Sequence, residues 1–232
     1  GICDFNTALE LNVVKVYGLL TYQGRAVVGD DMTSVNGCAM IAALIAMIHL
    51  ENPNGVTNEE ICTVIDITSI PYLYDIRYAL NYLEGAYLNQ ADVHDFLGRQ
   101  SVIPSNTFRT VCGGNVFDKL HLTNFIKELA CEDQPDTVSA AASLYFLGHV
   151  VCITKILVDG EVCYDLIESL PCEGNGSGGA RFRCFGQDAL LTLLTAYCLG
   201  KFTNEHHQYN DTKICDERVS DTEMDSEPRV FS

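Results

Sequence analysis

Basic residues, closely spaced cysteines and long apolar runs are all scarce in this sequence. The 232 residues include 14 lysines and arginines against 31 aspartates and glutamates, for a formal net charge of −17. Binding to nucleic acid or to anionic lipid depends on cationic residues that displace counterions, so we expect neither as a partner. This charge favours a neutral or basic polypeptide as the partner.

The 11 cysteines are scattered, and no C-x-x-C pair occurs among them. Structural zinc sites nearly always contain such a pair, so we expect no metal ion and no other cofactor. An odd number of cysteines, most of them in apolar segments, is typical of reduced thiols. No basic-then-apolar segment opens the sequence, so we expect the cytoplasm or the nucleus. Because the first residue is Gly1 and not Met, the sequence leaves open whether it belongs to a longer protein.

The longest apolar run, at 38–50, is too short to cross a membrane and ends at the breaker sequence 52–55. Its residues are apolar on every side of a helix, which is typical of a helix in the middle of a domain. We therefore predict a buried central helix that begins at Cys38, and no membrane as partner.

The remaining sequence is helical first and rich in strands afterwards. Thr57 to Glu60 has the pattern of a capping box, and Asp159-Gly160 has the pattern of a two-residue hairpin turn. This order predicts a single α+β domain over 1–203, and the sparse apolar residues of 204–232 predict an acidic, flexible tail. Helices are predicted at 59–66, 71–83, 89–97, 118–131 and 188–199, and strands at 11–20, 25–28, 144–157, 161–170 and 181–185.

Cys38 is the candidate nucleophile because it follows the polar loop 33–37 and opens the apolar helix. The positive end of a helix dipole and the unpaired N–H groups there favour a thiolate, and the same N–H groups can stabilise an oxyanion. Gly37 would let a substrate carbonyl approach closely. The alternative is that Cys38 is one more buried core cysteine.

His149 is the candidate base for that nucleophile. It follows Gly148 and opens an apolar strand, where a polar ring needs a partner or a chemical task. His49 lies on the helix that Cys38 opens, about 16 Å further along at the usual helical rise, which is too far to reach the sulfur.

Glu168 is the candidate residue to orient the imidazole. With the hairpin turn at 159–160, position 149 lies opposite 170, so a bulge or a wider loop would bring Glu168 beside His149. Asp165 is the alternative, but it lies an odd number of residues from Glu168 and faces the other side of a regular strand. Only one of the two acids can meet His149, and we favour Glu168.

The order Cys38, His149, Glu168 resembles that of the papain-like cysteine peptidases. In that superfamily a cysteine opens a central helix of the first lobe, and the histidine and an orienting Asn or Asp lie on adjacent strands of a β-rich lobe. The segments 148–153 and 164–170 look like its histidine hairpin, with the nearest likeness to deubiquitinases of the Josephin type. The resemblance implies a helical first lobe, an antiparallel β second lobe, cleavage of peptide or isopeptide bonds, and ubiquitin or a ubiquitin-like protein as partner.

The chain departs from that superfamily at three points. Its orienting residue would be Glu168, an aliphatic Val150 follows the histidine, and no glutamine stands five or six residues before Cys38. Asn36 or Gln23 could supply the missing oxyanion donor. Without such a donor, backbone N–H groups alone would stabilise the oxyanion. One side-chain donor contributes about 3 kcal/mol to stabilisation of the transition state.

Two other functions remain open from the sequence. The first is a different acyl-transfer enzyme on the same scaffold, such as a general peptidase or a transglutaminase. The second is a non-catalytic interaction module whose acidic surface binds a basic partner.

Overall fold

The structure is a computed structural model that describes residues 14–25, 31–102, 112–114, 116–132, 137–146, 148–171, 178–201, 225–226 and 230–231. Its helices together with an antiparallel sheet confirm the predicted α+β class. The helices are α1 (Cys38–Glu51), α2 (Asn58–Thr63), α3 (Ser69–Ala79), α4 (Gln90–Arg99), α5 (Lys119–Ala130) and α6 (Gln187–Lys201). The strands are β1 (Val14–Gly18), β2 (Cys112–Gly113), β3 (Ala140–Phe146), β4 (His149–Val158), β5 (Glu161–Glu168), β6 (Ala180–Phe185), β7 (Asp225–Ser226) and β8 (Val230–Phe231).

The described strands form one sheet in the order β1-β6-β5-β4-β3-β7-β2, and β8 also pairs with β3. Strands β4 and β5 make the predicted hairpin, with Val158 opposite Glu161. Asp159 and Gly160 both have positive φ, at 52° and 82°. The two-residue turn predicted from Asp159-Gly160 is therefore confirmed.

The single strand predicted at 144–157 is wrong, because two strands occupy this region. Strand β3 begins earlier, at Ala140, and pairs with β4 up to Phe146 opposite His149. Gly148 has a φ of 78°, a left-handed conformation that folds the chain back without the strain that a side chain would cause. His149 consequently becomes the first residue of β4, at one end of the sheet.

Helices cover both faces of the sheet. On one face α1 packs against side chains of β3 and β4 such as Val150 and Cys152, and its residues 38–46 are all buried. On the other face α5 and α6 pack against the alternate residues, such as Val151 and Ile153. The central buried helix predicted from the apolar run is confirmed. Because successive side chains of a strand point to opposite faces of the sheet, neighbouring residues of β4 pack in separate cores.

The two helices predicted at 59–66 and 71–83 are one continuous helical segment. Its middle turn, Val64–Thr68, is π-helical. Pro71 follows within α3 and lacks an N–H for the helical ladder, a defect that a wider preceding turn accommodates. The helix stops before residue 83 because Asn81 is left-handed, with a φ of 55°, and Tyr82 N–H closes the end by donating to Arg77 O at 2.8 Å.

Several predicted segments lie wholly or partly outside the described residues. Of the acidic tail at 204–232, the structure describes β7 and β8, and both pair with β3. Arg25 is in a turn, and the other residues of the strand predicted at 25–28 are outside. Within the described ranges, no helix combines the length and the apolar character that crossing a membrane requires.

Candidate active site

The site begins at the N-terminal end of α1. Cys38 is the first residue of this helix and is 4% exposed. Gly37 is the N-cap and no side chain caps the helix, so the N–H groups of residues 38–40 precede the first helical bond, from Ile41 N–H to Gly37 O at 3.0 Å. A β-carbon at Gly37 would lie 2.6 Å from Leu73 Cδ1 of α3, so close packing also favours glycine there.

His149 joins the cysteine to a carboxylate. The imidazole is 6% exposed and interacts with the Cys38 side chain. Its Nε2 lies 2.7 Å from Glu168 Oε1 and 2.9 Å from Oε2, which leaves Nδ1 for the sulfur. The three residues predicted as nucleophile, base and orienting acid are therefore together in the structure.

The carboxylate of Glu168 is held from three sides. Leu170 N–H donates to Oε1 at 2.9 Å, and the Tyr197 hydroxyl of α6 donates to Oε2. Glu168 and Tyr197 are 1% and 4% exposed. Because each oxygen has its own donor besides His149, the carboxylate has little freedom to rotate away from the imidazole.

The bulge expected between His149 and Glu168 is not needed. The register of β4 and β5 is regular, with Cys152 opposite Ile167. Continued by one residue, it places Glu168 opposite Val151, so that His149 is a diagonal neighbour on the same face. Diagonal residues lie about 7–8 Å apart at the backbone, a distance that a glutamate and an imidazole can span together.

The protonation of His149 depends on its neighbours. Burial alone lowers the pKa of this imidazole. The charge of Glu168 and the hydrogen bonds with Cys38 and Glu168 outweigh burial and raise the pKa to about 9. The ring therefore carries a proton at neutral pH, in position to stabilise a thiolate on one side while bonded to a carboxylate on the other.

Asp165, the alternative orienting acid, lies on the opposite face of β5. Its carboxylate accepts hydrogen bonds from Arg181 Nε at 2.7 Å and from Arg183 Nε at 2.9 Å. Arg181 in turn donates to Val56 O at 2.6 Å. Asp165 thus faces away from His149, as its odd spacing from Glu168 predicted, and through Arg181 it ties the sheet to the segment before α2.

The two candidate oxyanion donors have different surroundings. Gln23 is buried beside the end of β5, where its N–H donates to Ser169 O at 2.7 Å and its Oε1 accepts from the Ser169 hydroxyl at 3.1 Å. Asn36 is left-handed and its Nδ2 donates to Gly85 O at 2.8 Å. Their proposed role in stabilising an oxyanion stays a prediction for both residues.

Two residues that sequence reasoning missed support the site. Tyr197 bonds Glu168, and Arg77 of α3 bonds carbonyls in the loop before Cys38. No local pattern marks Tyr197, which reads as one apolar residue of an apolar helix. Arg77 could have been noticed in the sequence, because it lies four residues after Leu73. It is therefore a charged residue on the apolar side of the helix.

His49 is a structural histidine, which agrees with its dismissal from the sequence. It is fully buried, its Nε2 lies 2.9 Å from Lys155 O, and its Nδ1 accepts from Val56 N–H at 3.3 Å. Burial lowers the pKa of His49, although the hydrogen bond to Lys155 opposes it. The contacts of Cys38 with His149 and of His49 with Lys155 also show that α1 runs along β4 in the same direction.

The other described cysteines differ in their surroundings from Cys38. Burial raises the pKa of four thiols to about 12, which makes them unreactive near neutral pH. Cys62 is half-buried, and the described part of the chain contains no group of three or more His, Cys, Asp or Glu residues able to hold a metal ion. The four thiols are Cys152, Cys163, Cys184 and Cys198.

Comparison with family models and with curated proteins finds no match to this chain.

Proposed function

We propose that this chain is a cysteine-dependent hydrolase of papain-like type that cleaves peptide or isopeptide bonds. The observation that carries the proposal is His149, which contacts Cys38 at one side of its ring and Glu168 at the other. A thiol, an imidazole and a carboxylate that contact one another in this order form the usual arrangement of an activated cysteine nucleophile.

The reaction follows from the positions of these three groups. The Cys38 thiolate attacks the substrate carbonyl carbon, and the oxyanion forms near the N–H groups of residues 38–40 at the start of α1. His149 gives its proton to the leaving nitrogen as the C–N bond breaks, which leaves a thioester on Cys38. His149 then takes a proton from water, whose oxygen attacks the thioester, and the C–S bond breaks to release the carboxylic acid product and regenerate the Cys38 thiolate beside the protonated His149.

Glu168 has an electrostatic and a geometric part in this scheme. Its negative charge stabilises the imidazolium, and its bond to Nε2 turns Nδ1 toward the sulfur. The donors at Leu170 and Tyr197 hold it in that position. These contacts support glutamate in the role that Asn or Asp has in the family resembled.

We further propose ubiquitin or a ubiquitin-like conjugate as the substrate. The support is the likeness of the hairpin segments 148–153 and 164–170 to those of Josephin-type deubiquitinases, together with a net charge of −17 that suits a basic or neutral protein partner. A general peptidase or a transglutaminase would use the same three residues.

The non-catalytic alternative also has an observation in its favour, because Cys38 and His149 are only 4% and 6% exposed. Alkylation by iodoacetamide at neutral pH, followed by mass spectrometry of each cysteine, separates the two functions. A nucleophile at Cys38 reacts faster than the more exposed Cys62, whereas a core thiol at Cys38 reacts more slowly than Cys62.

The substrate is tested with a ubiquitin probe that carries a C-terminal electrophile. We expect a covalent adduct with the wild-type chain and with Cys62→Ala, and none with Cys38→Ala. Rapid alkylation of Cys38 without any adduct would retain the hydrolase and reject ubiquitin as the substrate.

A further inference from the structure

A buried arginine holds the loop that leads into Cys38. Arg77 lies in the last turn of α3 and is 3% exposed. Its Nη1 donates to Thr33 O at 2.6 Å, and its Nη2 donates to Val35 O at 2.6 Å and Asn36 O at 3.4 Å. Its Nε donates to Ala86 O at 3.1 Å, so the guanidinium joins the loop before α1 to the segment after α3.

Within the described part of the chain, the guanidinium of Arg77 bonds carbonyl groups and no carboxylate. The ion pairs among the described residues do not include Arg77, and all four of its hydrogen bonds go to neutral carbonyl groups. Burial lowers the pKa of this guanidinium, while the charges of Cys38 and Glu84 act in the opposite direction.

Keeping such a charge inside the protein needs a reason. A buried cation without an ion-pair partner is unfavourable, and an apolar side chain could fill the same volume at lower cost. Carbonyl dipoles offset part of the cost and fix the backbone of 33–36 at the same time.

We propose that Arg77 is a positioning residue of this site, which fixes the backbone of the loop before Cys38. Through the backbone of 33–36 it sets where α1 begins, and with that the direction of the sulfur and of the N–H groups of residues 38–40. The link to turnover depends on the proposed function, but the effect on the Cys38 thiol does not.

The charged and titratable groups that face Cys38 come from four elements. His149 contacts it from β4, with Glu168 of β5 and Tyr197 of α6 behind the ring. Arg77 of α3 bonds the loop from the other side, and Glu84 is the second charged group that acts on Arg77. On the loop itself, Asp31 is engaged by Thr33 N–H at 2.9 Å and by the Thr33 hydroxyl at 2.6 Å.

The test uses two substitutions of Arg77 with matched controls at Arg99. Arg77→Lys keeps the charge but cannot reach several carbonyls in one plane, whereas Arg77→Gln removes the charge as well. Arg99 is an exposed arginine whose Nε also donates to a carbonyl, Asp95 O at 3.2 Å, so Arg99→Lys and Arg99→Gln control for loss of an arginine as such. Circular dichroism selects the variants that fold.

The first readout is the rate of Cys38 alkylation by iodoacetamide as a function of pH, with Cys62 in the same sample as the internal standard. In Arg77→Gln we expect the Cys38 rate to fall relative to that of Cys62 across the profile, because the loop and the sulfur are displaced, and in Arg77→Lys we expect a smaller fall. The Cys62 rate and both Arg99 variants stay unchanged. If Arg77→Gln does not fold, the inference is tested by the second readout, which is turnover by Arg77→Lys.

The second readout is turnover of the substrate identified by probe labelling. A loosened loop lowers kcat about 10- to 100-fold in Arg77→Lys with little change in KM, because the sulfur and the N–H groups are displaced and not the substrate contacts. A folded Arg77→Lys enzyme with wild-type kcat overturns the inference, as does a folded Arg77→Gln with a wild-type alkylation profile.

These outcomes separate the inference from the proposed function. If neither ubiquitin conjugates nor other peptide or isopeptide substrates are turned over but the Cys38 profile still depends on Arg77, the hydrolase fails and the positioning of Cys38 by Arg77 stands. If turnover is found and Arg77→Lys leaves kcat unchanged, the hydrolase stands and the inference fails.

Discussion

Strand β5 carries two buried acids with opposite surroundings. Asp165 and Glu168 are each 1% exposed, and they face opposite sides of the sheet. Asp165 is bonded by two arginines, whose charge is fixed at any pH near neutrality. Glu168 is bonded by a histidine, a tyrosine hydroxyl and a backbone N–H, of which the histidine can gain and lose a proton.

This difference separates a structural carboxylate from one that can take part in chemistry. Against the effect of burial, two guanidiniums lower the pKa of Asp165, so the carboxylate stays ionised near neutral pH and exchanges no proton there. The single imidazole beside Glu168 changes charge between the steps of an acyl transfer, and the carboxylate stabilises only one of its two states. Burial and residue type are alike at the two positions, so the partners decide the role.

The largest expected effect is on turnover in Glu168→Gln. The amide keeps the shape of the side chain but removes the charge that stabilises the imidazolium, so we expect kcat/KM to fall about 100-fold or more, the usual contribution of a positioned acid–base group. The matched control is Asp165→Asn, in which turnover per folded molecule stays within a few-fold of wild type. Similar losses in the two variants would contradict the distinction between the acids.

The largest expected effect on stability is in Asp165→Asn. This change leaves two buried or half-buried guanidiniums without their common carboxylate, and we expect the free energy of unfolding to fall by about 3–5 kcal/mol, as when one partner of a buried ion pair is removed. Urea denaturation followed by circular dichroism measures it. A loss below that of Glu168→Gln would show that the arginines find other partners.

The pH dependence of stability should have opposite signs on the two faces. The pKa of His149 rises from 6.5 to about 9 on folding, so its contribution is complete below pH 6.5 and is lost as the pH rises to about 9. Burial alone raises the pKa of Asp165, but Arg183 and Arg181 hold it below 3.8, so its contribution is present above that pH and lost below it.

Urea midpoints measured from about pH 3 to about pH 10 check both slopes. His149→Gln should flatten the alkaline side alone, and Asp165→Asn the acid side alone. Turnover should also fall as the pH approaches about 9, where His149 loses its proton. If stability still falls at alkaline pH in His149→Gln, another group and not His149 causes that fall.

A smaller effect is expected in Tyr197→Phe. The variant loses one hydrogen bond to a buried carboxylate, which contributes about 1.5–3 kcal/mol, and we expect part of this loss to appear as slower turnover. Tyr164→Phe is the control, since Tyr164 packs in the same core and is not a partner of Glu168. Equal turnover in the two variants would show that Leu170 N–H alone suffices to hold Glu168.

The smallest effect is expected in Arg183→Lys. Arg183 is 24% exposed, and Arg181 continues to bond Asp165 in the variant. We expect a loss of about 0.5–1.5 kcal/mol in the free energy of unfolding, that of an ordinary hydrogen bond, and no change in turnover. The matched change Arg181→Lys should be more costly because Arg181 is 4% exposed and also bonds Val56 O.

Much of the site could be predicted from short-range patterns. The Asp159-Gly160 turn set the register of the hairpin, and the parity of Asp165 and Glu168 set which acid faces His149. The position of Cys38 at the start of a buried helix followed from the polar loop and the apolar run. The turn at Gly148 was missed because the apolar residues continue on both sides of it, so that hydrophobicity alone shows no break.

Sequence alone determined the local parts of this protein, namely a cysteine at a helix start, an imidazole at a strand start and a carboxylate on the strand beside it. Each depends on periods and turns within a few residues or one hairpin. Only the tertiary structure brought Cys38 to His149, Tyr197 to Glu168 and Arg77 to the loop at 33–36. These contacts depend on which helix packs on which face of the sheet and on where along β4 it packs. No local sequence pattern specifies either.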